Sequence, residues 1–302
     1  MHLETLKVFC DLAETKSFSK AARVNGITQS AVSQQVRALE TKYQVPLVER
    51  NRKACGLTPE GRTFLDAARR IVETYRAIDE QLRGSSERIP GKIRIAAEAS
   101  IGLHELPPVL KKFRAAHSEV EVAVQYLRAP EIYDAVLNGE FDLALVAYPQ
   151  VRQGLKMDVF EEDELVVICH PDHRLAKNAS IEPTALNGEP HIAYGPDPHT
   201  IRLIDRQLRA HQVELTPAAQ FDNIETVKRA VEINSGISLV PRNTVRAEVA
   251  DGRLVEIPFK GVRFVRPLAV VCKSGRLHSI ATHALTAMLR GETSDLQPLA
   301  AC

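Results

Sequence analysis

Gln29, Ser30, Ser33, Gln34 and Arg37 fall on one side of a helical spacing, amides and hydroxyls first and a cation one turn further on. Amides hydrogen-bond adenine edges bidentately, hydroxyls take several partners, and the positive start of a helix favours phosphate. The same residue types also line ordinary solvated helix faces, so context must decide. Arg50, Arg52 and Lys53 cluster a few residues later, either as cations for phosphates or the minor groove, or as a solvated charge cluster. Farther on, Ser100 lies in the loop after a strand, with Ile101 beside it, and His199 and Thr200 open a helix. Hydroxyls and helix-start amides there can hold an anion or simply cap the helix. Arg202 offers a charge-assisted bond to such an anion, or a surface ion pair.

Other chemistry is poorly supplied. His170-Pro171-Asp172-His173 has histidines three apart, but the proline breaks any helix that would align them, and no further ligands cluster nearby, so no metal site is expected. The five cysteines (Cys10, Cys55, Cys169, Cys272, Cys302) are scattered and form no CxxC pair. Cys169 and Cys272 sit in apolar strand patterns, where inert buried thiols are the common case and a redox pair the rarer one. There is no Gly-rich phosphate loop, GxSxG elbow or paired-carboxylate arrangement, hence no catalytic residue and no cofactor is assigned.

The elements that must position these groups begin with Leu3, Leu6, Phe9, Leu12 and Ala13, whose spacing predicts a helix ending near Thr15. A second helix is capped by Ser17 or Ser19 and ends at Asn25-Gly26. Thr28 caps a third, from Gln29 to about Tyr43, which buries Val32, Val36 and Leu39. Two helices joined by a tight turn make a helix-turn-helix, whose second helix presents its first residues to the major groove. Val45 to Leu57 reads as a wing of two short strands with the basic residues at its tip. Thr58 and Pro59 then start a long helix, along which Phe64, Ala68, Ile71, Tyr75, Ile78 and Leu82 keep an a/d seam. That seam either packs on the chain's own core or joins a second copy. The reading favoured is a homodimer through this helix, which would face two half-sites of a palindrome.

The 302 residues, 44% hydrophobic and 25% charged, allow two to three domains of ordinary globular composition. Residues 1–89 hold fifteen Lys plus Arg against eleven Asp plus Glu, a balance of +4, and the rest of the chain is correspondingly acidic. No run approaches a membrane span and the chain opens directly on an amphipathic segment, so a cytoplasmic protein without membrane attachment is expected. After Gly84-Ser85-Ser86 and Pro90-Gly91 the texture becomes alternating strand and helix. Strands are predicted around Ile93 to Ala97, Val120 to Val124, Phe141 to Val146, Leu165 to Ile168, Ile192, Ile237 to Val240 and Arg266 to Cys272. Helices are predicted over Leu106 to His117, Glu131 to Asn138, Thr200 to His211, Asn223 to Asn234 and Ser279 to Leu289. This is an α/β body with ligands expected at strand carboxyl ends.

The runs Ser17-Phe18-Ser19-Lys20-Ala21-Ala22, Thr28 to Val36, Leu39-Glu40, Leu47-Val48-Glu49-Arg50 and Leu57-Thr58-Pro59-Glu60-Gly61 resemble, in order and spacing, the winged helix-turn-helix of LysR-type transcriptional regulators. Ser30 stands where that family often has proline, and Val48 where it usually has phenylalanine. The resemblance implies DNA contacts from Thr28, Gln29, Ser30, Ser33, Gln34, Arg50 and Arg52. Phe221 to Lys228 and Gly236 to Pro241 are similar to motifs of the family's effector-binding domain, itself like periplasmic solute-binding proteins. The implied plan is a DNA-binding domain over 1–58, a dimerising linker helix over 59–89 and a two-lobed α/β effector-binding domain over 90–302. Its first lobe would span about 90–162 and 266–302, its second about 163–265. Effector contacts are then implied at Ala147 and Tyr148 and at Phe221 to Asn223, besides Ser100, Thr200 and their neighbours. The ligand expected is a small molecule, an organic acid or small anion. The resemblance further implies a homotetramer, DNA bending and contact with RNA polymerase near promoters.

Overall fold

The computed structural model describes residues 2–51, 54–82, 91–195, 198–276 and 278–292. Its contacts divide the chain into an amino-terminal unit and a larger body that begins at Ile89.

In the amino-terminal unit, α1 (Leu3–Thr15), α2 (Phe18–Asn25) and α3 (Gln29–Tyr43) are followed by the antiparallel pair β1 (Val48–Asn51) and β2 (Ala54–Leu57) and by α4 (Pro59–Leu82). The local causes are those read from the sequence. Ser17 accepts the Lys20 amide at the start of α2, and Gly26 closes that helix in the left-handed region, where glycine carries no steric penalty. The apolar stripes of three helices meet in one core of Phe9, Leu12, Ala21, Val32, Val36 and Leu39, to which Leu47 before β1 and Leu65 of α4 add.

The body is built around one sheet with the order β10-β6-β11-β5-β3-β4, to which β9 adds by pairing with β6. Parallel strands β3 (Gly91–Ala97), β4 (Val120–Tyr126) and β5 (Leu143–Ala147) alternate with α5 (Ala99–His104), α6 (Leu106–Ala116) and α7 (Ala129–Leu137). Strand β6 (Leu155–Cys169) then crosses into the second lobe, which holds β7 (Pro190–Tyr194), α8 (Pro198–Ala210), β8 (Thr216–Phe221), α9 (Ile224–Glu232), β9 (Ser238–Pro241), α10 (Arg246–Ala250) and β10 (Val255–Ile257). Strand β11 (Phe264–Lys273) returns, and α11 (Ile280–Leu289) follows. β7 and β8 form a separate parallel pair. The lobes have separate cores, one around Tyr133, Val136 and Val146, others around Leu239 and Val240.

Two expectations are corrected. Ser100 is not in a loop: Ala99–His104 is helical, a short element that six residues containing glycine did not announce. The strand expected from Leu165 to Ile168 is the end of a longer one, fifteen continuous residues from Leu155, antiparallel to β11 from Leu155 to Leu165. Its first half is rich in acidic residues and partly exposed, which hid it from a hydrophobic pattern.

Candidate functional site

On α3 the Thr28 hydroxyl accepts the Ala31 amide at 3.2 Å and lies 2.9 Å from the Ser30 hydroxyl, so the first turn is capped and both hydroxyls are oriented. Thr28, Gln29, Ser30, Gln34 and Arg37 are exposed and Ser33 is half-buried, while Val32, Val36 and Leu39 on the opposite face are buried. Among the described residues, Gln29, Ser33, Gln34 and Arg37 have no side-chain hydrogen bond or ion pair within the protein. Their donors and acceptors are available to a ligand along about two helical turns. The side chain of Arg50 and the whole of Arg52 and Lys53 lie outside the described residues.

A second group, not singled out from the sequence for this role, fixes the wing. Glu40 Oε1 accepts the amides of Leu47 at 3.0 Å and Val48 at 3.3 Å, so the carboxylate late in α3 holds the entry to β1. Thr58 donates its hydroxyl to the Pro46 carbonyl at 2.7 Å and accepts the Gly61 amide at 2.9 Å, linking the wing to the first turn of α4. At Gly61 a Cβ would fall inside the van der Waals envelope of the Leu47 carbonyl oxygen. The signal for these residues was the run of types at Leu39-Glu40 and Thr58 to Gly61, whose meaning only the close approach reveals.

In the body, Arg266 of β11 is 2% exposed. Its Nη1 donates to Ser100 Oγ at 2.8 Å and its Nη2 to Asp163 Oδ2 at 2.9 Å. Glu105, between α5 and α6, lies in the same charged surroundings. Burial raises its carboxyl above the ordinary value, Asp163 and Glu161 add to the rise, and Asn243 and Arg266 oppose it. His104 Nε2 lies 3.0 Å from Glu225 Oε1 of α9, so α5 of the first lobe reaches the second. Burial, then the charge of Lys228, lowers the His104 pKa against the opposing pull of Glu225. Lys228 is itself buried between Glu225, Glu248 and the Thr244 carbonyl.

Residues 3–62 match the bacterial regulatory helix-turn-helix protein of the lysR family, and residues 86–294 match the LysR substrate binding domain. The chain belongs to the LysR family. It is a LysR-type transcriptional regulator with a DNA-binding helix-turn-helix and a two-lobed effector-binding domain, and not an enzyme. It is similar to the HTH-type transcriptional regulator CbbR of Rhodospirillum rubrum, with 27% identity over 289 residues covering 96% of each chain. It is also similar to a RuBisCO operon transcriptional regulator of Allochromatium vinosum, with 27% identity over 294 residues and 97% of each chain. Among solved structures, a full-length OxyR variant from Pseudomonas aeruginosa has the same fold, with a TM-score of 0.76, 22% identity and 99% of each chain covered.

Within this LysR-type regulator the remaining predicted residues separate into groups. Of the linker seam, Ala68 is 1% exposed and packs with Leu6 and Val72, and Phe64 stacks edge-on against Phe9 at 5.0 Å. These two positions belong to the chain's own amino-terminal core, which corrects the expectation that they face a second copy. Ile71, Tyr75 and Ile78 are 47%, 54% and 43% exposed. The Leu82 side chain lies outside the described residues.

Of the predicted effector contacts, Ser100 has its hydroxyl engaged by Arg266 and Ile101 is wholly buried. The Ala147 amide donates to Glu98 Oε1 at 3.1 Å. Tyr148, in the left-handed region, donates its amide to the Pro267 carbonyl at 2.9 Å, and burial pushes its hydroxyl pKa up to about 12. His199 and Thr200 lie in the first turn of α8, Thr200 buried, and Arg202 is exposed one turn on. Phe221 packs against the core of the second lobe, and Asn223 is a helix cap whose Oδ1 accepts the Glu225 amide at 2.8 Å. His170 and His173 are spent on local turns, each accepting an amide two residues on. Cys169 and Cys272 sit toward opposite ends of the paired crossover strands, on the order of 40 Å apart at 3.3 Å per residue. A disulfide between them is excluded by geometry.

Proposed function

We propose that this LysR-type regulator binds an interrupted palindromic operator as a homodimer, or as a homotetramer of two such dimers, and that a small molecule bound between the lobes of its body sets how the DNA-reading heads are used. The observation that carries the DNA reading is the exposed polar row Thr28, Gln29, Ser30, Gln34 and Arg37 on a capped helix backed by a buried apolar face. Ile71, Tyr75 and Ile78 supply an apolar stripe for the dimer helix. Regulation follows by linkage, since a ligand shifts the assembly only by its differential affinity for two arrangements.

The effector expected from the sequence was an organic acid or small anion held near Ser100 and Thr200. At Ser100 the Arg266 guanidinium is already balanced by Asp163, so an anion at that corner meets a cation whose charge is partly neutralised. Contact with RNA polymerase belongs to the same proposal. The name of the Allochromatium vinosum relative makes a RuBisCO operon promoter one DNA to test beside the DNA flanking the chain's own gene. Footprinting on both, with salt and candidate small acids varied, tests the reading. A selective, salt-sensitive footprint that shifts with one acid supports it, and a footprint indifferent to every acid tried overturns the effector class.

A further inference from the structure

The crossover ribbon narrows at one place. β11 pairs with β5 from Leu268 to Val271, and β6 pairs with β9 from Leu165 to Ile168. Between these registers, residues 162–164 of β6 and 265–267 of β11 pair only with each other among the described strands, although the Tyr148 amide also donates to the Pro267 carbonyl, and a bulge at Leu268/Ala269 adjoins them. Two-stranded ribbons twist more and hold less well than wider sheets, so this is where the lobes can turn. Arg266 and Asp163 are opposite each other in this stretch.

A buried ion pair in such a place needs a reason beyond stability, because apolar side chains of like volume often serve as well or better. The Nε–H of Arg266 is also buried with no acceptor among the described residues. What the guanidinium does, and an apolar side chain would not, is leave the ribbon and donate to Ser100 on α5. That helix also contacts the second lobe through His104 and Glu225.

We propose that Arg266 is a positioning residue that ties α5 of the first lobe to the two-stranded ribbon, so that the placement of α5 sets the angle of the hinge. The proposal rests on the body being the ligand-responsive part of a regulator, but its test needs neither DNA nor ligand, so it can fail while that reading stands.

Amide hydrogen exchange of the full chain is measured for the unmodified protein, for Ser100→Ala, for the pair Arg266→Met with Asp163→Leu, and for all three together. Ser100→Ala leaves the ion pair in place, and loss of one bond to a charged donor is expected to raise exchange of ribbon segments 161–164 and 264–267 about tenfold, with β3 and β5 unchanged. Added to the Arg266→Met, Asp163→Leu pair, Ser100→Ala changes the ribbon no further, because the two effects run through one contact. Exchange that rises only in α5, rises uniformly across the sheet, or adds independently in the triple variant overturns the proposal.

Discussion

The Glu40 carboxylate, one turn before the end of α3, accepts the backbone amide of Leu47 at 3.0 Å. Recognition helix and wing are therefore positioned by one side chain, and the angle between them does not depend on the wing's two short strands alone. Glu40→Ala leaves the Leu47 and Val48 amides without that acceptor, and bonds to a charged acceptor contribute about 1.5–3 kcal/mol each at most. DNA affinity is expected to fall about tenfold or more for Glu40→Ala and far less for Glu40→Gln, which keeps an acceptor oxygen. Fluorescence anisotropy with a labelled duplex measures this, and equal losses for both variants would contradict it.

Gly61 is required for a different reason. The first turn of α4 passes so close to the Leu47 carbonyl that a side-chain carbon must displace backbone. Gly61→Ala, although it raises intrinsic helix propensity by about 1 kcal/mol, is predicted to lower stability by about 2 kcal/mol or more. Urea denaturation followed by circular dichroism decides between the two signs.

The linker helix predicts two distinct failures. Ala68→Asp puts a carboxylate into the chain's own core beside Leu6 and Val72 and should unfold the amino-terminal unit. Ile71→Asp, on an exposed position one turn on, should leave the unit folded and halve the mass seen by light scattering. A folded Ile71→Asp protein of unchanged mass would remove the linker helix from the dimer contact.

Acid stability should depend on His191. This residue of β7 is buried, its Nε2 has no partner among the described residues, and burial pushes its pKa down to about 4. The unfolded chain protonates the ring near pH 6.5. Between those values the unfolded state binds more protons, so stability is intact above about pH 6.5 and falls as pH drops toward about 4, by about 3 kcal/mol in all. His191→Phe should show a shallower decline over that window in urea midpoints, and parallel curves would rule out His191 as the cause.

How much of this was legible in the sequence follows from what each feature depends on. The helices of the amino-terminal unit, their caps at Ser17 and Thr28 and the Pro59 start of α4 came through because apolar spacing and capping chemistry are local. The Arg266–Asp163–Ser100 contact was not legible, since its members are 103 and 166 residues apart and each looks ordinary in its own segment. Period alone does not say which turns of the a/d seam face α1 and which face outward. Ser100 was expected in a loop and Asn223 at the start of a helix. In the folded protein one is engaged by a buried arginine and the other by its own helix amide.

Whether the polar row of α3 reads base sequence is decided by a gel-shift titration of the full chain and its Gln29→Ala variant. Each is run on the DNA flanking the chain's own gene and on an unrelated duplex at the same salt concentration. The expected result is selective binding by the unmodified protein and a loss of about tenfold or more on the flanking DNA for Gln29→Ala, with binding to the unrelated duplex unchanged. Equal losses on both duplexes, or no selectivity by the unmodified protein, would contradict it.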